Sequence, residues 1–171
     1  MSDINLPPMP DRSLIILKKL QSKLPEYKPY KENVDIKGNS LTIYNEISKR
    51  VKIISSNLSA AIQNLKDYNL LKEASQAEET LKKLQYLASL PSEFTKTDKV
   101  INAMQEEIKK LYEMDEFSID TLLSIQDNVN TFRGASISGE FDKNVLDKIN
   151  KGINDLMQSW DNRKKFFETK A

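Results

Sequence analysis

The chain has neither cysteine nor histidine among its 171 residues. These absences exclude disulfides, thiolate nucleophiles, imidazole bases and structural zinc, and any metal site would need a hard cation held by oxygen ligands. The sequence also has no glycine-rich phosphate-binding loop and no dinucleotide-binding fingerprint. We therefore expect no metal, no cofactor and no enzymatic activity.

An excess of charge of one sign is also missing. Lysine and arginine total 26 and aspartate and glutamate total 25, so the net charge is only +1, and the two signs are interspersed along the chain. Such a surface exerts little long-range attraction on nucleic acid or anionic lipid. We expect no nucleic-acid partner.

Long hydrophobic runs are absent. The longest stretch without charge, residues 53–65 (IISSNLSAAIQNL), would span roughly 20 Å as a helix, whereas a bilayer core is about 30 Å thick. Its small residues suit a helix at the centre of a bundle, and we favour that interpretation. The alternative is a latent membrane segment that acts only after oligomerisation. The opening residues lack the features of a signal peptide. We expect a protein of the cytoplasm or of a multi-protein particle, without a transmembrane helix.

Apolar residues recur at spacings of three and four, which indicates helices throughout. The strongest such seam comprises Tyr44, Ile47, Val51, Ile54, Leu58, Ala61, Leu65 and Tyr68. After it the phase shifts to a second seam of Leu70, Ala74, Ala77, Leu81, Leu84 and Ala88. We expect a turn at residues 67–69, although one locally overwound helix would also fit.

Helix boundaries can be predicted from capping residues. Leu14, Leu17, Leu20 and Leu24 form one face of a short first helix, and Asn39 or Ser40 caps the long second one. Ser118 is expected to cap a further helix that Gly134 ends, and a last helix begins near Phe141. Adjacent acids such as Asp115 and Glu116 are interpreted as solvated helix faces.

The predicted fold is all-α: an elongated antiparallel bundle of about five main helices, with a short N-terminal helix and an extended proline-rich arm. Residues 1–12 form the arm, and residues 13–171 form a single domain with a connector at 25–39 and a flexible loop at 134–139. Tyr27 and Tyr30 are expected to anchor the connector.

The arm contains the most specific motif. Leu6-Pro7-Pro8-Met9-Pro10-Asp11-Arg12 fits the pattern apolar-P-x-apolar-P-x-basic, which polyproline-binding domains of the Src-homology type recognise. The same residues could instead lie extended on this bundle or on a neighbouring subunit, and we favour that interpretation.

The first helix has more apolar surface than one contact can bury. Because Ile15 and Ile16 cannot both face the core, we expect one of them to be exposed or covered by a partner. The predicted partner-binding residues are Leu6, Pro7, Met9, Pro10, Arg12, Ile15 and Ile16. We therefore expect a non-enzymatic assembly, adaptor or structural protein that contacts other subunits or itself; the alternative is a membrane-acting amphipathic helical protein.

Overall fold

The computed structural model describes residues 12–30, 33–34, 36–90, 101–102 and 105–168. Helices account for most of them: α1 (Arg12–Lys23), α2 (Ile36–Asp67), α3 (Leu71–Ser89), α4 (Gln105–Ile137) and α5 (Lys143–Glu168). Two strands of two residues each, β1 (Asn33–Val34) and β2 (Ile101–Asn102), pair antiparallel. The prediction of an all-helical protein with packed helices is confirmed at this level. The proline-rich arm lies outside the described residues except for Arg12, which was assigned to the arm and instead begins α1.

The four long helices pack as two hairpins. Helix α2 packs against α3 and α4, and α5 packs against α4 and α3. Within each hairpin the helices are antiparallel, but α2 and α4 run in the same direction: the side chains of Arg50, Asn57 and Asn64 bond in turn to Gln126, Asn130 and Ser136. The end of α3 therefore lies at the same end of the bundle as the beginnings of α2 and α4. The strands β1 and β2, which precede α2 and α4, pair with each other.

The predicted seam of α2 forms the centre of the core. Its members from Tyr44 to Leu65 are all between 0% and 1% exposed. Tyr68, the last predicted member, is 53% exposed because it follows the end of the helix. The heptad spacing thus identifies the buried stripe of this helix correctly up to its last turn.

Both hairpin turns use a Schellman motif, in which a left-handed residue ends the helix. After α2, Asn69 has a φ of 64°, and Leu70 N donates to Leu65 O at 2.9 Å. After α4, Gly139 has a φ of 76°, and Glu140 N donates to Ala135 O at 3.1 Å. The predicted turn at 67–69 is confirmed.

The sequence prediction divides α4 wrongly. Ser118 is an interior helical residue whose Oγ donates to Met114 O at 3.0 Å, so it does not cap a new helix. Gly134 is also helical. The left-handed conformation that was expected of Gly134 occurs at Gly139 instead. There are consequently four long helices rather than five in the described chain, and the segment between α4 and α5 is 138–142 instead of 134–139.

Two predictions near the N-terminus also need correction. Helix α2 begins at Ile36, so neither Asn39 nor Ser40 caps it and the connector ends before residue 36. In α1 the buried face comprises Ser13, Ile16 and Leu20, whereas Leu14 is 48% exposed. The prediction grouped the leucines by type, but the helix is rotated so that Ile16 faces the core.

The close contact between the two turns generates a stability prediction. A Cβ atom at Gly139 would lie 2.7 Å from Cδ1 of Tyr68, and the positive φ adds backbone strain. We expect Gly139→Ala to lower the free energy of unfolding by about 1–3 kcal/mol. Chemical denaturation measures this change directly.

Gly134→Ala is the matched control, because nothing lies within 4 Å of a Cβ atom built there. A helical Gly→Ala substitution should raise the free energy of unfolding by about 1 kcal/mol. Equal effects of the two substitutions would contradict the described turn.

Candidate functional site

The structure places three of the predicted partner-binding residues. Arg12 and Ile15 are exposed on α1, Ile15 by 57%, whereas Ile16 is 1% exposed and belongs to the core. Leu6, Pro7, Met9 and Pro10 lie outside the described residues. Of the two isoleucines, only Ile15 is accessible to a partner.

A row of ion pairs joins α1 to α4. Lys19 Nζ lies 2.8 Å from Asp120 Oδ2 and 3.3 Å from Glu116 Oε2. Arg12 Nη2 lies 3.5 Å from Glu116 Oε1. The hydrogen bond to Asp120 raises the pKa of Lys19 above its usual value. Since exposed pairs of this kind contribute only about 0.2–1 kcal/mol each, they orient α1 more than they stabilise it.

The connector after α1 is anchored by its tyrosines, as predicted. Tyr27 and Tyr30 are 1% and 6% exposed, and the hydroxyls of both donate to Asp115 Oδ2, that of Tyr27 at 2.6 Å. The backbone N–H of Tyr30 donates to the hydroxyl of Tyr112 at 2.8 Å. Asn39 completes the attachment because its side-chain amide bonds to both backbone groups of Lys28.

Asp115 also forms a buried ion pair with Arg163 of α5. The side chains are 1% and 3% exposed, and Arg163 Nη1 donates to Asp115 Oδ1. Arg163 Nη2 donates to Ser40 Oγ at 2.7 Å, and the guanidinium lies 5.9 Å from the ring centroid of Tyr44. We call Asp115, Arg163, Tyr27, Tyr30 and Ser40 the buried polar cluster.

Burial controls ionisation within this cluster. Removal from water, reinforced by the neighbouring charge of Asp115, raises the pKa of Tyr27 and Tyr30 above the ordinary value, so both remain hydroxyl donors. For Arg163, burial alone would lower the pKa, but the charge of Asp115 outweighs it and the pKa is raised. The guanidinium therefore stays charged.

The cluster is structural. Both oxygens of Asp115 already accept hydrogen bonds from the protein, and a side chain that is 1% exposed offers a substrate no access. The interpretation of Asp115 as a solvated acid is wrong. It continues the seam of α4 at Leu111, Asp115, Ser118 and Leu122, and Arg163 follows Trp160 in that of α5. A charge at a seam position was the signal that could have revealed the pair.

A groove lies between α4 and α5 on the outer face of the bundle. Its volume is about 420 Å³, and its apolar floor includes Met114 and Phe117, the latter 46% exposed. Polar residues line the rest of it: Lys110, Glu113, Asp155, Gln158, Ser159 and Asn162. Phe117 and Asp120 together line a neighbouring cavity of about 400 Å³, so the groove adjoins the row of ion pairs at Asp120.

The described residues contain neither a metal-binding group of acids nor a membrane-spanning helix. No group of three acidic side chains among them is placed to hold a metal ion. Within the same residues, no helix combines the length and the apolar character needed to cross a membrane.

Comparisons of the chain with protein-family models, with curated proteins and with solved structures found no significant match.

The buried ion pair generates a prediction about stability. Arg163→Met leaves Asp115 buried without its counter-charge, so we expect the free energy of unfolding to fall by about 3–5 kcal/mol. Arg133→Met is the matched control, because Arg133 is exposed and its guanidinium donates to Asn57 Oδ1 at the surface. Urea denaturation measures the loss of unfolding free energy in both variants. Equal losses would contradict the account.

The tyrosines of the cluster generate a prediction about alkaline pH. Their pKa is raised from an ordinary value of 10.0, so above pH 10 the unfolded chain loses protons that the folded chain retains. Stability is therefore complete below pH 10 and falls as pH rises, by about 1.4 kcal/mol per pH unit for each tyrosine. Denaturation measured between pH 9 and about pH 11 tests this dependence.

Substitution of both residues by phenylalanine should remove this part of the alkaline loss. Tyr86→Phe is the control, since Tyr86 is 59% exposed and should leave the pH dependence unchanged. If the double variant Tyr27→Phe/Tyr30→Phe lost as much stability at alkaline pH as the unaltered chain, the loss would come from other groups.

Proposed function

We infer that this protein is a non-enzymatic assembly, adaptor or structural component of a larger protein complex, and that its contacts involve the N-terminal arm and α1. The observation that carries the proposal is the exposed apolar surface of α1, where Leu14 is 48% and Ile15 57% exposed. Because these two side chains are adjacent, they form an apolar patch of the kind that partner proteins cover. The partner is another protein subunit or a second copy, and no nucleic acid is involved.

The anchoring of α1 supports this proposal. Ile16, Leu20 and Leu24 are buried in the core, and the connector that follows is held by the buried polar cluster. Leu14 and Ile15 are thus presented on a helix whose opposite face is fixed. A preorganised helix binds a partner with a smaller entropic loss than a helix that must fold on contact.

The membrane-acting alternative has less support. It requires the uncharged stretch 53–65 to leave the bundle, yet Ile54, Leu58 and Leu65 of that stretch are fully buried. Ile53 is 50% exposed but has no exposed apolar neighbour within the same stretch. We therefore retain the protein-contact proposal alone.

Ile15→Glu tests the proposal, because the substitution places a charge on the apolar surface without touching the core. We expect its free energy of unfolding to stay within about 0.5 kcal/mol of that of the unaltered chain. Light scattering should report a smaller assembled mass, or cross-linking in cells that naturally express the protein should report the loss of a specific partner.

Ser22→Glu serves as the control, since it adds the same charge to an exposed position of α1 without removing an apolar side chain. Deletion of residues 1–11 tests the arm separately and spares Ile16, Leu20 and Leu24. The proposal fails if Ile15→Glu, the deletion and the unaltered chain have the same mass and the same partners.

A further inference from the structure

The groove between α4 and α5 lies beside the point where the described chain begins. Arg12 is the first residue of α1, and its guanidinium contacts Glu116, the residue before Phe117. Asp120, which lies one turn beyond Glu116 on the same face of α4, lines a neighbouring cavity together with Phe117 of the groove. The segment that precedes Arg12 therefore starts on the face of α4 next to the groove. We propose that residues 6–11 of this chain dock in the α4–α5 groove as an extended proline segment, with the pair of Arg12 and Glu116 as its fixed end.

The composition of the segment fits the groove. Leu6, Pro7, Pro8, Met9 and Pro10 are apolar, and consecutive prolines favour the polyproline II conformation. That helix has three residues per turn, so Leu6 and Met9 share one edge and Pro7 and Pro10 share the next. Such ridges bind shallow grooves with an aromatic floor, and Phe117 with Met114 supplies one here.

Charge complementarity fixes the direction of the segment. Polyproline recognition commonly pairs a basic residue at one end of the motif with an acid at the rim of the groove. Arg12 is the basic residue of the motif, and it already contacts Glu116 at 3.5 Å. The side chain of Glu116 is only 18% exposed and also contacts Lys19, so the acid is held in place before the segment binds.

The segment has the required length. In the polyproline conformation the six residues from Leu6 to Asp11 extend roughly 19 Å. The part of α4 that lines the groove, from Lys110 to Phe117, rises only about 10 Å along the helix axis. The segment is therefore longer than this part of the groove.

Docking within the chain has a consequence for the proposed contact function, although the docking itself does not depend on that function. A foreign domain that recognises Leu6 to Arg12 must first displace the segment from the groove. The groove and the partner thus compete for one motif, and occupancy of the groove sets the affinity that a partner observes.

Disulfide trapping tests the docking in the purified full chain. Because the chain has no cysteine, Met9→Cys and Asn162→Cys introduce its only two thiols. Asn162 lines the α5 side of the groove. The control pairs Met9→Cys with Ser22→Cys on the exposed side of α1. We expect the first pair to form an intramolecular disulfide at least about tenfold faster, because docking raises the effective concentration of one thiol at the other.

Phe117→Ala should slow disulfide formation in the first pair toward the rate of the control pair. Because Phe117 is partly exposed, its substitution carries little risk of unfolding the protein. Equal rates for the two pairs in the otherwise unaltered chain would overturn the proposal. Preferential formation of covalent dimers would also overturn it, because the groove would then hold the segment of a second copy.

Discussion

The buried ion pair between Asp115 and Arg163 is the interaction on which one end of the molecule depends. Taking both charges out of water carries a cost that their mutual attraction offsets only when further hydrogen bonds complete the site. Tyr27, Tyr30 and Ser40 provide those bonds. The pair therefore holds α2, α4, α5 and the connector in one relative arrangement, since a shift of any of them would leave a buried charge incompletely satisfied.

This arrangement explains why α1 can present an apolar surface. The helix is short and packs mainly against α4, so its own contacts would hold it weakly. The connector adds two buried tyrosines immediately after it, and the burial of Ile16 and Leu20 sets its rotation, with the ion pairs of Lys19 at its edge. The exposed position of Ile15 follows from that rotation, and so does the placement of Arg12 beside the α4–α5 groove.

The sequence predicted the regular parts of the fold and missed those that depend on long-range polar contacts. The seam of α2 and the turn after it were predicted because apolar spacing and the phase shift are local signals. The interior position of Ser118 was not predicted, because a serine that bonds back to its own helix cannot be told from a capping serine in the sequence. Asp115 was assigned to the surface because its partner lies 48 residues further along the chain, beyond any local pattern.

The central claim is that the buried polar cluster holds the N-terminal surface on the bundle. Amide hydrogen exchange of Ile16 and Leu20, compared with that of Ala77 and Leu84 in α3, tests it in the chain that carries Tyr27→Phe and Tyr30→Phe. The account predicts that protection of α1 falls much more than protection of α3. An equal fall in both helices, or no change in α1, would contradict it.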